Sequence, residues 1–289
     1  MSLTIDHVTV AGRDLDALAE AFTEAGLAAE YGGTHSNGVT HMASVGFRDG
    51  SYVELVSTVE SDADSSWWDD PIHENGGPCG WAVRADDIDA ETERLRERGV
   101  AVDGPHGYER ERPDGSRVAW DLAFLDDRAD PGATLPFLIS DRTPRERRVE
   151  PTGELAGSPV RGVDTVVLGV PDLAAARDRL TAAFDLADPE RGRLPSMDVE
   201  LARFADAPVA LTEPTGDGPL ADRLDRFGPR PVAYLLGVDG GGDGDAGEGN
   251  PFADVEFEID GRESFKSGTV GWLPLTEPVG RPYVGLIDG

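Results

Sequence analysis

The sequence predicts an α+β protein built from repeated βαβββ modules, whose curled mixed sheets surround a concave cleft and carry helices on the outer face. Three observations lead there. A short strand-like run, an Asp followed by Leu or Ile, and an Ala/Leu/Arg-rich helix recur along the chain. After each helix the spacing of apolar residues changes from about 3.6 toward 2, the signature of strands. The strand-like runs are joined by short turns such as Asp49-Gly50, which suit hairpins, whereas a doubly wound parallel sheet needs long crossovers.

The first unit opens with Ile5-Asp6-His7-Val8-Thr9-Val10, followed by Asp14-Leu15 and a helix to about Ala25. A second begins at Gly80-Trp81-Ala82-Val83, with Asp87-Ile88 and a helix to about Arg98. A third begins at Asp164-Thr165-Val166-Val167-Leu168, with Asp172-Leu173 and a helix to about Phe184. Asp14, Asp87 and Asp172 stand where an N-cap carboxylate accepts from free backbone N–H groups, and Gly26 and Gly99 stop the first two helices. Leu15, Leu18, Ala19 and Phe22 form one apolar stripe to lie on a sheet.

Strands are expected at 27–31, 40–47 and 51–58 in the first unit and at 100–103, 117–125 and 134–140 in the second. The third has 198–204 and 208–213, then an amphipathic helix near 218–227. An abbreviated fourth unit has strands at 232–238, 255–259, 269–273 and 283–287. The expected organisation is a first half over 1–141, with modules 1–60 and 79–141, and an Arg/Pro/Glu/Gly-rich linker over 142–159. A second, degenerate half spans 160–289 and includes a mobile acidic Gly-rich loop at 239–251.

Fifty-six acidic residues face 26 basic ones, a net charge of -30, and Lys266 is the lone lysine. Such a charge repels nucleic acid and anionic membrane, so neither is an expected partner. Carboxylates spread along the whole chain suit a halophile's surface, soluble where salt screens their repulsion over a few ångströms. No run approaches the roughly 18 consecutive apolar residues that span a bilayer. The first residues carry neither a basic nor an apolar targeting region, and Cys79 has no disulfide partner in the chain, so a cytoplasmic location is expected. A Gly-x-Ser-x-Gly elbow, a P-loop and Cys/His zinc spacing are all missing from the sequence.

The first unit resembles the glyoxalase-like domain of the vicinal oxygen chelate superfamily. The resemblance rests on Asp6-His7-Val8, Asp14-Leu15, Gly32-Gly33 followed by His35, and the strand Tyr52-Val53-Glu54-Leu55. Arg110, Arg112, Pro113-Asp114-Gly115 and Trp120 extend it into the second unit, so that it covers 1–141 well and 160–289 more loosely. It implies that the first and last strands of a module are neighbours on the concave face, each able to offer a metal ligand, and His7 and Glu54 stand at those positions.

Period-2 geometry sets His7 opposite Val8 and Val10, and Glu54 opposite Val53 and Leu55. Both face the cleft if the Val and Leu side chains face the helix. His35 and His41 lie in the same unit. Imidazole and carboxylate together suit one divalent metal ion, Zn, Fe, Mn, Ni or Co, with an open position for substrate oxygens. Aligning Asp87 with Asp14 places Gly80 at the His7 position and Phe137 at the Glu54 position, and Thr165 takes the His7 place in the third unit. A metal bound by His7 and Glu54 would therefore draw its third ligand from His35 or His41. The alternative is a metal-free cleft in which the His7/Glu54 pair moves a proton, Glu54 acting as base or as orienter of His7.

Arg110 and Arg112 are candidates to hold a carboxylate or enolate, against a bland reading as solvated turn residues. His35 and Trp120 are the other candidate substrate contacts, Trp120 as an aromatic floor or as core. Trp67-Trp68 and Cys79 read as packing, and His73 and His106 as solvated loop residues. Two functions follow. One is a metal-assisted lyase or isomerase acting on a small oxygen-rich metabolite; the other is a non-catalytic protein that binds a small molecule in the same cleft without metal. Modules of this kind pair within or between chains, so a homodimer is compatible with the sequence.

Overall fold

The computed structural model describes residues 3–126, 128–194, 199–239, 252, 259, 261–265 and 268–288. Of the expected loop at 239–251 only Asp239 is described, and of the expected strand at 255–259 only Ile259.

The first half runs β1 (Ile5–Ala11), α1 (Leu15–Glu24), β2 (Glu30–Thr34), β3 (Thr40–Gly46) and β4 (Tyr52–Thr58). After the short α2 (Asp69–His73) come β5 (Gly77–Arg84), α3 (Ile88–Glu97), β6 (Val102–Glu111), β7 (Arg117–Leu125) and β8 (Phe137–Asp141). These strands form one eight-stranded sheet in the order β2-β3-β4-β1-β5-β8-β7-β6. The sheet is mixed: β1 is parallel to β4 and antiparallel to β5, and β5 is parallel to β8.

The second half repeats this with β9 (Val160–Gly169), α4 (Leu173–Phe184), β10 (Glu190–Leu194), β11 (Val199–Arg203) and β12 (Val209–Thr212). Then follow α5 (Pro219–Phe227), β13 (Arg230–Val238), β14 (Gly261–Phe265), β15 (Gly268–Trp272) and β16 (Val284–Asp288). The second eight-stranded sheet has the equivalent order β10-β11-β12-β9-β13-β16-β15-β14. The repeated βαβββ architecture read from the sequence is the architecture found.

The three capping aspartates act as their position demands. Asp14, Asp87 and Asp172 accept from the backbone N–H groups of Ala17, Ala90 and Ala175, satisfying donors that the first helical turn cannot. Alternation along β1 sends Val8 and Val10 to the helix side with Leu18 and Phe22 of α1. The helix-bearing faces of both sheets share one apolar core: Phe22 meets Tyr283 at 6.2 Å, and Arg94 of α3 donates to the Ala183 carbonyl of α4. Tyr234 of β13 sets its hydroxyl between the carbonyls of Thr9 (2.7 Å) and Gly80 (2.9 Å), tying the central strands of the two sheets.

Departures from the expected strands concentrate at the four sheet edges. β2 and β6 have shifted bounds, and β10 and β14 had no counterpart in the sequence reading. An edge strand such as Glu-Arg-Gly-Arg-Leu in β10 buries too little of either face to need apolar alternation. Residues 142–159 carry two 3₁₀ turns, Arg145–Arg147 and Gly153–Ala156. Among the described residues no helix is long and apolar enough to cross a membrane.

Ladder register fixes the module alignment. Thr9 pairs with Glu54 in β1/β4, Ala82 with Phe137 in β5/β8, and Val167 with Ala210 in β9/β12. Phe137 and Ala210 therefore occupy the place of Glu54 in their modules.

Candidate functional site

A cleft of about 580 Å³ opens on the concave face of the first sheet. Glu54 lies at its polar end, buried, because β4 pairs directly with β1 and points alternate residues inward. Three side chains converge on its carboxylate. His35 Nε2 stands 3.3 Å from Oε1, Thr9 Oγ1 donates to Oε2 at 3.3 Å, and His7 Nε2 faces Oε2 at 3.9 Å. Burial pushes the Glu54 carboxyl up, but the His35 hydrogen bond and the charges of His7, His35 and Arg110 outweigh it and hold the group down to about 2.

Each imidazole is anchored through its other nitrogen. His35 Nδ1 meets Thr40 Oγ1 at 2.8 Å. His7 Nδ1 meets Asp6 Oδ1 at 2.7 Å, and its ring stacks on Tyr52 at 4.7 Å with Phe137 edge-on at 5.3 Å. A register shift in β1 between Ile5 and His7 leaves Asp6 out of the β1/β5 pairing, which sets its carboxylate beside the imidazole that follows it.

Asp6 is wholly buried and heavily held. Arg148 donates to it from Nη1 (3.0 Å) and Nη2 (2.9 Å), Arg145 adds a further hydrogen bond, and Arg148 also reaches Asp141 and Tyr52. Burial raises the Asp6 carboxyl, yet Arg148 and His7 more than reverse it and keep it well below the usual carboxylate range. An ionised Asp6 can only accept, so His7 donates to it from Nδ1, which turns Nε2 toward Glu54 in the cleft.

Arg110 enters from β6. Its Nη1 donates to the Gly32 carbonyl at 2.7 Å and contacts the Met42 sulfur, while its buried Nε has no partner. A Cβ at residue 32 would collide with both Met42 and Arg110, so glycine there is what lets the guanidinium approach the backbone. The rest of the cleft is apolar and aromatic, with Trp67, Trp68, Tyr108, Trp120 and Phe137 along its walls.

Of the sequence candidates, His7, His35, Glu54, Arg110 and Trp120 line this one cleft. Two do not. His41 sits on β3 between Thr40 and Met42, both of which face the cleft, so period-2 alternation turns it to the other face, where its ring meets Tyr31 at 6.1 Å. Arg112 lies just beyond the end of β6 and donates to the Arg147 carbonyl, away from the cleft. His106 belongs to β6 itself, paired with Asp103 at 2.8 Å. Among the described residues no group of three or more His, Cys, Asp or Glu is arranged to hold a metal ion.

The sequence reading missed Tyr52, Arg148, Tyr108 and the tryptophan pair at 67–68 as cleft residues, and Asp6 as the buried partner of His7. Asp6 directly precedes His7, and Arg148 ends the arginine run of 142–148; both were visible as residues, but only the fold brings them together. Trp68 also holds a left-handed backbone (φ 56°), unusual for a bulky side chain, and is fixed by its indole N–H donating to the Pro131 carbonyl at 3.0 Å.

Comparison with known proteins agrees with this architecture. No curated protein matches the chain. A hypothetical protein from Staphylococcus aureus matches 99% of this chain and 100% of its own with a TM-score of 0.65 at 14% identity. A variant of 4-hydroxymandelate synthase from Streptomyces coelicolor (TM-score 0.59, 15% identity) covers 99% of this chain and 92% of its own. The Mn(II)-bound glyoxalase from Novosphingobium aromaticivorans (TM-score 0.53, 14% identity) covers 99% and 81%. Likeness at such identities shows the fold. Residues 5–184 match the glyoxalase-like domain family, and with the repeated βαβββ sheets this places the chain in that family, within the vicinal oxygen chelate superfamily.

Proposed function

We propose that the first-half cleft binds a small oxygen-bearing organic anion and moves a proton on it, an isomerase- or lyase-type step in which His7 is the acid–base group. The observation that carries this is the pairing of His7: Nδ1 on a buried, ionised Asp6 and Nε2 directed into the cleft beside Glu54. Glu54 is engaged by His35 and Thr9 and lies 3.9 Å from His7 Nε2, so it orients His7 and steadies the imidazolium formed there. Arg110, which lines the cleft and has Nη1 engaged with Gly32, offers Nη2 to the charge that develops on a substrate oxygen.

A resident divalent metal does not fit the donors present. His41 faces the helix side, Gly80 and Phe137 stand where the second module would supply ligands, and Glu54 is already engaged by His35 and Thr9. His7 alone therefore carries the proton step. Solvent exchange at C2 of 2-hydroxy acids and at C3 of 2-oxo acids, followed by NMR in D₂O over a panel of both, tests it. The wild type should exchange and be indifferent to EDTA. Both His7→Ala and Glu54→Gln should lose roughly 10²- to 10⁴-fold, the usual worth of a positioned acid–base group.

A second reading has its own support. The substitution of Gly80 and Phe137 at the positions of His7 and Glu54 favours a non-catalytic protein that sequesters a small molecule. Ligand binding without exchange in any wild-type sample would select that reading.

A further inference from the structure

Resting on the cleft above as a ligand site, we propose that its ligand is an aromatic carboxylic acid, a planar ring body with a carboxylate on a short arm. Volume comes first. A cleft of about 580 Å³ lies in the range of sites for ring-sized metabolites, and a two- or three-carbon acid would leave most of it to water. The walls come second. Trp67, Trp68, Tyr108, Trp120 and Phe137 reach the cleft from β6, β7, β8 and the segment before α2, presenting flat π surfaces to a ring.

Two of these aromatics replace polar positions of the repeat. Phe137 holds the register place of Glu54. Gly80 holds the place of His7, and a Cβ there would lie 3.0 Å from Trp68 Cζ2 and 2.9 Å from the Pro131 carbonyl oxygen. The Trp68 indole thus fills the space of the side chain that Gly80 lacks. One module presents acid–base and charged groups; the other presents aromatic surface.

The cations fix the head group. Arg148 is used up on Asp6, Asp141 and Tyr52. Glu54 takes its hydrogen bonds from His35 and Thr9, so Arg110 is not neutralised by a direct pair with it. With Nη1 pinned to Gly32 and Nε enclosed by the protein, Nη2 is the guanidinium donor that Arg110 has left for a ligand in the cleft. A carboxylate meets such a donor with a charge-assisted hydrogen bond that a neutral group cannot match.

Calorimetric titration of the full chain tests this with four probes: 3-phenylpropanoate, 3-phenylpropanamide, hexanoate and propanoate. The phenyl acid should bind at least tenfold tighter than its amide, than hexanoate and than propanoate. Arg110→Gln should bring the acid down to the affinity of the amide and leave the amide unchanged. Equal binding of acid and amide overturns the anionic head, equal binding of hexanoate and the phenyl acid overturns the ring, and no heat from any probe at millimolar concentration overturns both. The wild-type comparisons stand even if Arg110→Gln fails to fold. Tight binding of the phenyl acid with no proton exchange keeps this ligand class and removes the proton-transfer reading; exchange confined to aliphatic acids does the reverse.

Discussion

Between β4 and β5 of the first half, the chain makes only the short α2, which stays out of the cleft lining while Trp67 and Trp68 before it join that lining. Between β12 and β13 of the second half, at the equivalent point of the repeat, it makes the longer α5. Leu220 and Leu224 of that helix pack into a buried cluster with Val167, Val232, Leu235 and Trp272 on the face opposite α4. The positions of His7 and Glu54 are held there by Thr165 and Ala210. One topology thus yields an open cleft with a polar end and a concave face closed by its own helix. A connecting segment decides between them, and the sheets do not. Arg223 of α5 gives the closed face a second task, donating to the Gly76 and Pro78 carbonyls at 2.6 Å and so fastening the helix to the first half.

This contrast can be broken at three places. The largest effect is expected from Arg148→Ala, which leaves Asp6 as a buried carboxylate short of its main partner; about 3–5 kcal/mol should be lost in denaturant unfolding. A loss near zero would mean that the polar end of the cleft contributes no stability. Next comes the acid limb. Glu54 has a folded value of about 2 against an ordinary 4.5, so its stabilisation is complete above 4.5 and disappears as pH falls through about 2. The amount is roughly 3 kcal/mol, and Glu54→Gln should flatten the acid unfolding curve between about pH 5 and pH 2. The smallest is Leu220→Ala, expected to cost about 2–3 kcal/mol by opening a cavity in the second half. Ligand affinity in the first cleft should then be unchanged, and a matching loss of affinity would show that the halves are not independent.

The sequence made the repeat legible because it is written in local terms: capping aspartates, an apolar stripe, and period-2 runs. It also placed His7 and Glu54 on one face, since both lie in central strands whose alternation is anchored by buried Val and Leu. His41 failed because the phase of β3 depends on the preceding turn, where His35 N–H bonds the Thr40 carbonyl and fixes which residue of the strand first faces inward. Arg112 failed because it was named with Arg110 from the resemblance, whereas β6 ends at Glu111 and leaves Arg112 in the turn that follows. Arg148 and Trp68 carried no local signal. Their roles come from contacts with Asp6 and Gly80, far away in the chain.

The close packing of Trp68 on Gly80 bears on how such a cleft changes over evolutionary time. Gly80→His alone would drive a side chain into the indole and the Pro131 carbonyl. Phe137→Glu alone would remove the ring that packs edge-on to His7 and among Leu122, Phe124 and Ile139. Each single step costs stability before any new ligand set is complete. Trp68 therefore works as a ratchet. A lineage that has placed an indole over this glycine must first lose the tryptophan before its second module can regain a polar pair, so its function drifts by refitting the aromatic wall.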